Sequence, residues 1–141
     1  MKYLLDTNVI SELIAREPNQ QVIDWLDTLD PTSVYLSVIT IGELRKGIEK
    51  LPASRRKDDL TAWLTADLLV RFVDHIVDLT VDVLIAWGVL TARLEHNGTP
   101  MPAIDSLIAA SVIAGQYTLV TRNEDDFRYA NILLINPWKA Y

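Results

Sequence analysis

Short apolar runs alternate with longer segments of helical periodicity, and this alternation constrains the fold of the chain more than any other feature. The apolar runs have strand length and are Tyr3–Leu5, Val34–Ser37, Ile76–Leu79, Leu119–Thr121 and Leu133–Ile135. The segments between them predict helices over Val9–Arg16, Gln20–Leu29, Ile39–Lys50, Arg56–Asp74, Val81–Asn97 and Ala103–Ala114, with a short turn at Glu124–Tyr129. Strands joined through helices predict an α/β fold: three α/β/α layers around a mostly parallel central sheet of about five strands.

The length and composition favour one domain spanning residues 1–141. A chain of 141 residues has the size of one ordinary domain, and no segment rich in Gly, Pro or Ser divides it. The absence of cysteine excludes a disulfide framework, a Cys-based zinc site and a thiol nucleophile. An acid at position 6 and the lack of a long apolar run argue against a signal peptide or membrane span, so we expect a cytoplasmic protein that does not bind membranes.

The net charge of −6 is a first argument against nucleic-acid binding, because it repels a polyanion. The charge is unevenly distributed, however. Residues 45–57 contain six Lys and Arg against a single Glu, a local excess of five positive charges that leaves −11 for the rest of the chain. The local excess of positive charge in residues 45–57, rather than the net charge of the whole chain, therefore decides whether a polyanion can approach.

Four carboxylates stand at unusual positions in this pattern. Asp6 directly follows the first apolar strand, and Glu43 opens a charged segment after an uncharged stretch. Asp105 is the only charged residue between positions 99 and 121, and Asp126 lies just after the fourth strand. Because functional groups of open α/β sheets collect where strands end and helices begin, we expect these acids to converge.

Converging carboxylates need a positive partner. Two carboxylates about 5 Å apart repel by roughly 3 kcal/mol at an effective dielectric of 20. The neighbouring sequence offers no cluster of Lys or Arg to offset this, whereas Mg²⁺ binds one or two carboxylates together with water and phosphate oxygens. The four acids therefore suggest a magnesium or manganese site that handles phosphate esters.

The motifs that carry these acids resemble those of a known family. They are Asp6-Thr7-Asn8, Thr40-Ile41-Gly42-Glu43-Leu44 with Gly47, Pro102-Ala103-Ile104-Asp105 with Ile108-Ala109-Ala110, Thr121-Arg122-Asn123 with Asp126-Phe127, and the closing Asn136-Pro137-Trp138. In this order and spacing they are similar to the PIN-domain nucleases, and within them to the VapC and FitB toxins of bacterial type II toxin–antitoxin pairs. The resemblance covers the whole chain.

The resemblance implies a Mg²⁺-dependent endoribonuclease, with Mn²⁺ as a possible substitute. Its metal ligands would be Asp6 and Asp105, and Glu43 and Asp126 would complete the catalytic site, one of them taking the proton from the attacking water. Cleavage would leave a 5′-phosphate and a 3′-hydroxyl.

The last motif departs from part of the family. FitB-like chains have an acid directly after Thr-Arg, where this chain has Asn123. The fourth carboxylate is therefore assigned to Asp126, with Asp125 and Asn123 as alternatives, and Asn8, Thr121 and Asn123 are interpreted as supporting residues.

The resemblance also implies partners. VapC-like toxins are held inactive by a VapB-like antitoxin, commonly form homodimers, and contact DNA only through the antitoxin. RNA would be bound by the basic residues Lys46, Lys50, Arg55 and Arg56. A helical surface that includes Leu13, Trp25, Leu26, Ile48 and Leu51 would serve one of these protein contacts or belong to the core.

Each acid has a structural alternative. Thr40 and Glu43 match a capping box, Lys46 can pair with Glu43 on one helix face, and Asn123 can cap a short helix with Asp126 in its first turn. Two rival functions also remain at this point. One is a non-catalytic PIN-like binding module that acts through an antitoxin bound to DNA. The other is an aspartyl-phosphate phosphohydrolase, which lacks support because Asn8 stands where those enzymes carry a second acid.

Overall fold

A computed structural model of the chain describes residues 1–139; Ala140 and Tyr141, the end of the expected domain, lie outside the described residues. Five strands form one sheet: β1 (Tyr3–Leu5), β2 (Val34–Ser37), β3 (Ile76–Val77), β4 (Thr118–Val120) and β5 (Leu134–Ile135). Their order is β3-β2-β1-β4-β5, and every pairing is parallel. The predicted α/β fold around a five-stranded, mostly parallel sheet is confirmed.

Within residues 1–139, eight α-helices connect and cover the strands. They are α1 (Thr7–Leu13), α2 (Gln20–Asp27), α3 (Val38–Glu49), α4 (Arg55–Ala62), α5 (Leu69–Arg71), α6 (Val81–His96), α7 (Ala103–Gly115) and α8 (Glu124–Phe127). A π-helical segment, Trp63–Leu68, joins α4 to α5, and a 3₁₀ turn at Pro31–Ser33 precedes β2. No helix among residues 1–139 is both long and apolar enough to cross a membrane.

The central strand β1 supplies both hydrophobic cores. Successive side chains of a strand point to opposite faces, so Leu4 and Leu5 separate. Leu5 packs with residues of α1, α3 and the π-helical segment, whereas Leu4 packs with residues of α6, α7 and α8. The helices therefore form one layer on each side of the sheet.

Most predicted boundaries lie within two residues of those observed, but two helices differ more. Helix α1 begins two residues early, at Thr7, and ends at Leu13 rather than Arg16. The predicted helix Arg56–Asp74 changes to π-helical geometry at Trp63 and regains one α-helical turn before Phe72. Asp74 then adopts a left-handed backbone with φ 65°, which a continuing helix does not permit.

The surface suggested for partner contacts belongs largely to the interior. Ile48 is buried, and Leu13, Trp25 and Leu26 pack against the same core cluster. Leu51 lies half-buried beside a shallow groove. The core alternative is therefore the one that the structure favours for this surface.

Candidate active site

Asp6 and Thr121 stand side by side because they follow paired strands. Leu5 and Val120 are partners in the parallel register of β1 and β4, so the next residues along each strand emerge at the same edge. Thr121 Oγ1 donates a hydrogen bond to Asp6 Oδ2 at 2.8 Å. Both side chains are buried, which fixes the position of this carboxylate at the carboxyl edge of the sheet.

Asp6 has a second task as the cap of α1. Its Oδ1 accepts the backbone N–H of Thr7 at 2.8 Å, so the helix begins at Thr7. The sequence signals predict a start after Asn8, at Val9. Asn8 instead points back to the strands. Its Nδ2 donates to Asp6 Oδ2 and Thr121 Oγ1, each at 3.2 Å, and its Oδ1 accepts the Arg122 N–H at 3.1 Å.

Burial disfavours the ionised form of Asp6. The side chain is 8 % exposed, and this desolvation raises its pKa above 3.8. The hydrogen bonds from Thr121, Thr7 and Asn8 act in the opposite direction but are outweighed, and the charge of Glu43 adds to the rise. Asp6 is thus a buried acid that gains from a nearby cation.

Glu43 is held at the site by a hydrogen bond from α1. Thr7 Oγ1 donates to Glu43 Oε1 at 2.6 Å and lies 3.1 Å from the buried Thr40 hydroxyl. The capping-box interpretation is wrong, because Ser37 caps α3 by accepting the Ile39 N–H, which places Glu43 in the second turn rather than the first. Among the ion pairs of residues 1–139, none joins Glu43 to Lys46.

The pKa of Asp105 is raised by burial and by all three of the other predicted acids. It lies half-buried in the first turn of α7, and its side chain makes no hydrogen bond or ion pair within the described chain. Burial is the main reason that its pKa is raised, followed by the charges of Asp126, Asp6 and Glu43 in that order. The other three predicted acids therefore all act electrostatically on Asp105, and Glu43 also acts on Asp6.

The segment after β4 contributes Asn123 and Asp126 in different ways. Asn123 stands at the N-cap position of α8, but its side chain makes no capping bond; its backbone N–H donates to Thr121 Oγ1 at 3.0 Å. Asp126 is exposed at the third position of α8, and of the neighbouring charges it raises the pKa of Asp105 the most. Asp125 is not among the charges that affect Asp105. The electrostatics thus favour Asp126 over Asp125 as the fourth acid.

These side chains surround an open cleft of about 450 Å³. Its lining residues are Asp6, Thr7, Asn8, Ser11, Glu12, Glu43, Asp105, Arg122, Asn123 and Trp138. Asp126 lies outside this set. Five lining residues are missing from the predicted site, namely Thr7, Ser11, Glu12, Arg122 and Trp138. Three of them belong to the quoted motifs, Thr7 beside Asp6, Arg122 beside Thr121 and Trp138 in the closing Asn-Pro-Trp, and this is the signal that was available.

The cleft fits a hard divalent cation. No Lys, Arg or His within residues 1–139 forms an ion pair with Asp6, Glu43, Asp105 or Asp126. The same residues contain no ready-made cluster of three acid or histidine ligands. Asp6 and Asp105 remain as carboxylate donors, and two carboxylates suit a hard divalent cation that keeps several waters.

None of the four predicted RNA-binding residues lines the cleft. Lys46 and Lys50 are exposed at the end of α3, and the Arg55 side chain is 94 % exposed, 3.9 Å from Asp59. Arg56 differs, since its Nη2 donates to the Ile14 carbonyl oxygen at 3.3 Å and it lines a groove that also contains Glu43. Three of the four basic residues therefore present their charge to solvent, and Arg56 also ties α4 to α1.

Curated relatives match almost the full length of the chain. The plasmid stability protein StbB of Pseudomonas syringae pv. tomato is 39 % identical over 137 residues, covering 97 % of this chain and 99 % of the relative. The VapC ribonuclease Y4jK of Sinorhizobium fredii is 33 % identical, and the toxin FitB of Neisseria gonorrhoeae is 36 % identical. Each of these two matches covers 96 % of this chain and 97 % of the relative.

Solved structures agree with the sequence matches. The crystal structure of FitAcB from Neisseria gonorrhoeae superimposes with a TM-score of 0.93 at 35 % identity, covering 98 % of this chain and 99 % of the other. A structure of FitAB bound to an IR36 DNA fragment gives the same TM-score at 33 % identity, covering 99 % and 97 %. Residues 3–132 match the family described as the PIN domain. The chain thus belongs to the PIN-domain family, as the resemblance of its motifs predicts.

Proposed function

We propose that this protein is a metal-dependent endoribonuclease and the toxin of a VapBC-type toxin–antitoxin pair. The observation that carries the proposal is a cleft lined by the acids Asp6, Glu43 and Asp105, in which the pKa of Asp6 and of Asp105 is raised by burial and by neighbouring carboxylates. Relatives of nearly the same length are named as a ribonuclease and as a toxin. Both the chemistry of the site and the family support hydrolysis of RNA phosphodiester bonds.

Asp6 and Asp105 are the proposed ligands of the metal. A bound Mg²⁺ or Mn²⁺ supplies a water of lowered pKa and neutralises negative charge that develops on the phosphate. Thr121 and Asn8 hold Asp6 Oδ2, and the Thr7 N–H holds Oδ1, so the orientation of this carboxylate is set before any ligand binds. Such preorganisation lowers the cost of binding a cation in one fixed position.

Glu43 is the better candidate to accept the proton of the attacking water. It is exposed to the cleft, and Thr7 fixes its Oε1 while leaving Oε2 available. Asp126 is also exposed and acts on Asp105 by charge. Its proposed task is to raise the affinity of the Asp105 side of the cleft for a cation.

The proposed partners follow from the family and from the distribution of charge. A VapB-like antitoxin would inhibit the toxin and carry the complex to DNA, in keeping with a similar chain present in a DNA-bound FitAB complex. RNA would reach the cleft along Lys46, Lys50, Arg55 and Arg56. Since the proposed substrate and partner are cytoplasmic molecules, we expect the protein to act in the cytoplasm.

A homodimer is also proposed, through the exposed side of α6. Val81, Ile85 and Val89 recur every four residues on this side and are 62–76 % exposed. Asp82 and Arg93 lie eleven residues, about three turns, apart and so face the same way. In an antiparallel pair of α6 helices, Asp82 of one copy would lie opposite Arg93 of the second, whose guanidinium also donates to the Tyr129 and Ala130 carbonyl oxygens of its own chain.

Cleavage of RNA tests the proposal. Labelled single-stranded and structured RNAs are incubated with the protein in Mg²⁺, Mn²⁺ or EDTA, and the product ends are mapped. We expect cleavage with either metal and none in EDTA, 5′-phosphate and 3′-hydroxyl ends, and a loss of at least about a hundredfold in Asp6→Ala and Asp105→Asn. Cleavage that survives EDTA and both substitutions contradicts the proposal. No cleavage by an intact protein that still binds an antitoxin peptide favours a binding module.

A further inference from the structure

Among the cleft-lining residues of the described chain, 1–139, Arg122 is the one cationic side chain and Trp138 the one aromatic side chain. All other lining side chains are acids, amides or hydroxyls. The two are in contact, with the Arg122 guanidinium carbon 5.3 Å from the centre of the Trp138 ring. An acidic cleft thus contains a single cation–π pair, and the metal ligands do not account for it.

The backbone of this pair is fixed from behind by a buried amide. Asn136 is 5 % exposed; its Nδ2 donates to the Arg122 carbonyl oxygen at 3.3 Å, and its Oδ1 accepts the Trp138 N–H at 3.0 Å. The Arg122 N–H donates to Asn8 Oδ1, and Asn8 also donates to Asp6. A continuous series of hydrogen bonds therefore sets the position of Trp138 relative to the Asp6 carboxylate.

The side chains themselves keep freedom on the cleft side. Arg122 is exposed, and Trp138 is half-buried, packed on one side against the core that contains Leu5. The guanidinium can leave the ring without disturbing the backbone bonds. Aromatic rings in this setting bind unpaired bases by stacking, and Arg binds phosphate through paired hydrogen bonds.

We propose that Trp138 and Arg122 form a nucleotide subsite that binds the residue next to the scissile phosphate of a single-stranded RNA. The base stacks on the Trp138 indole in place of the guanidinium, and Arg122 turns to the adjacent phosphate. This inference rests on the proposed ribonuclease function and adds the group that positions the substrate. The same pair supplies the cation that a polyanion otherwise lacks in this cleft.

The competing interpretation is that the pair only fastens the end of the chain to the core. The two interpretations differ in what a substitution changes. A fastening role alters unfolding and leaves the affinity for RNA unchanged, whereas a stacking role alters the affinity for RNA only when the flanking base is present. A comparison of intact and abasic RNA therefore separates them.

The experiment measures KM and kcat on a 12-nucleotide single-stranded RNA that contains one cleavage site, and on versions with an abasic nucleotide on either side of that site. Trp138→Leu is expected to raise KM roughly tenfold with little change in kcat, and Trp138→Phe, which keeps an aromatic face, to stay within about threefold of wild type. Removing the stacked base from the RNA should raise KM for wild type by a similar factor and have no further effect on Trp138→Leu. Arg122→Gln is expected to raise KM on intact and abasic RNA alike.

A matched pair elsewhere provides the control. Arg128 lies 4.8 Å from the Tyr129 ring centre, Tyr129 is 49 % exposed, and neither lines the cleft. Tyr129→Leu should leave KM on every RNA unchanged. Thermal unfolding of each variant reports whether it folds.

Three results overturn the subsite. The first is equal KM for wild type and Trp138→Leu, and the second is the same rise in KM for Trp138→Leu on intact and abasic RNA. The third needs no variant: it is an equal KM of the wild-type protein for the intact RNA and for both abasic RNAs. If wild type does not cleave, fluorescence anisotropy of the same labelled RNAs in EDTA replaces KM. Failure to bind any of them overturns the subsite together with the proposed function, whereas cleavage without base dependence overturns the subsite alone.

Discussion

The Asp6 carboxylate combines two tasks that conflict in energy. As the cap of α1 it accepts a backbone N–H, which stabilises the helix, but its burial among other acids penalises its charge. The net result is a raised pKa, so the capping bond does not offset the desolvation. A residue retained under such a penalty is typical of a functional site rather than of a purely structural cap.

Asp105 allows this penalty to be measured, because its side chain makes no hydrogen bonds within residues 1–139 that a substitution would break. A carboxyl with a raised folded-state pKa is protonated more readily in the folded than in the unfolded chain. Stability therefore falls as the pH rises from 3.8 through the raised pKa, and the full cost is present at neutral pH. Asp105→Asn removes this cost.

We expect Asp105→Asn to raise the Tm of the metal-free protein at pH 7 by a few degrees, since about 1 kcal/mol moves the Tm of a chain of this size by roughly 3 °C. The difference from wild type should shrink as the pH is lowered towards the ordinary carboxyl range, because the raised pKa of Asp105 makes the wild-type carboxyl take up its proton first in the folded chain. Mg²⁺ should raise the Tm of wild type and have little effect on the variant. Differential scanning calorimetry in EDTA or Mg²⁺ makes the comparison.

Asp125→Asn is the matched control, since Asp125 is an exposed acid near the cleft that does not act on Asp105. It should change neither the Tm in EDTA nor the response to Mg²⁺. A lower Tm for Asp105→Asn at pH 7 in EDTA is incompatible with charge repulsion at this position.

The four acids were predictable from the sequence because each stands out against its neighbours. Asp105, for example, is isolated in an apolar helix, and Asp6 follows a strand directly. The pairing of Arg122 with Trp138 was not predictable, because it depends on the parallel pairing of β4 with β5 and on a buried amide between them. No periodicity within one element encodes such a contact.

Residues 45–57, the basic segment, lie on helices α3 and α4 and the loop between them, and they differ in whether their charge is already engaged within the chain. Arg45 and Lys57 are engaged by Glu49, at 2.6 and 3.8 Å, and Arg56 reaches the Ile14 carbonyl. Lys46 and Lys50 have no ion pair within the described chain, and Arg55 has only a long one. Phosphate contacts should therefore come mainly from Lys46, Lys50 and Arg55.

The triple variant Lys46→Gln/Lys50→Gln/Arg55→Gln is expected to weaken RNA binding and to flatten its salt dependence. Each lysine or arginine that no longer neutralises a phosphate should reduce the slope of log K against log salt by roughly 0.7 for a single strand, so by about 2 in total. Adding Arg56→Gln should also lower the Tm, because this substitution removes the hydrogen bond to the Ile14 carbonyl. Fluorescence anisotropy with a labelled single-stranded RNA between 50 and 200 mM salt measures the slope.

Metal affinity is the internal control for this variant, because the three side chains lie outside the cleft. It should be unchanged. An unaltered salt slope would show that the basic segment does not contact the RNA.

The elements differ in how completely their sequences encode them. Helix α6 begins and ends within one residue of its predicted span, because Thr80 caps it and Gly98 follows it with φ 71°. The π-helical segment Trp63–Leu68 has no comparable signal, since its residues also suit an ordinary α-helix. The predicted start of α1 was wrong because Asp6 and Asn8 are both good helix caps. In the structure Asp6 caps the helix, and Asn8 lies inside it with its side chain bonded to Thr121.

The fold explains where part of the net charge of −6 is located. Asp6, Glu43 and Asp105 line the cleft, and a bound cation would neutralise part of their charge. The exposed cations Lys46, Lys50 and Arg55 lie on the neighbouring end of α3 and the start of α4. The net charge of −6 is therefore not by itself an argument against RNA binding, because the cations that RNA would contact are concentrated in one segment.

The dimer proposed through α6 predicts a clear change in size. Gly88 lies near the middle of the exposed face, and apart from its chain neighbours and the adjacent backbone of α6, no atom comes within 4 Å of the position its Cβ would take. Gly88→Trp should therefore fold but block the antiparallel contact, and Ile85→Asp should do the same by burying a charge. Sedimentation velocity should show wild type as a dimer and both variants as monomers.

Leu133→Asp controls for the removal of an exposed apolar side chain, because Leu133 is 68 % exposed and lies outside α6. It should remain dimeric. A dimer that persists in both α6 variants excludes this face as the interface. An Asp82→Arg/Arg93→Asp exchange supports it if the exchange restores an association that either single variant abolishes.

Direct measurement of metal binding is the most stringent test, because every proposed step depends on the acids of the cleft acting as one cation site. Titration with Mn²⁺, followed by electron paramagnetic resonance, should show binding that Mg²⁺ competes away. Asp105→Asn should weaken it at least about tenfold, Asp126→Asn should weaken it measurably, and Asp125→Asn should not change it. A wild-type protein that fails to bind Mn²⁺, or that binds it no better than Asp105→Asn, would contradict the account.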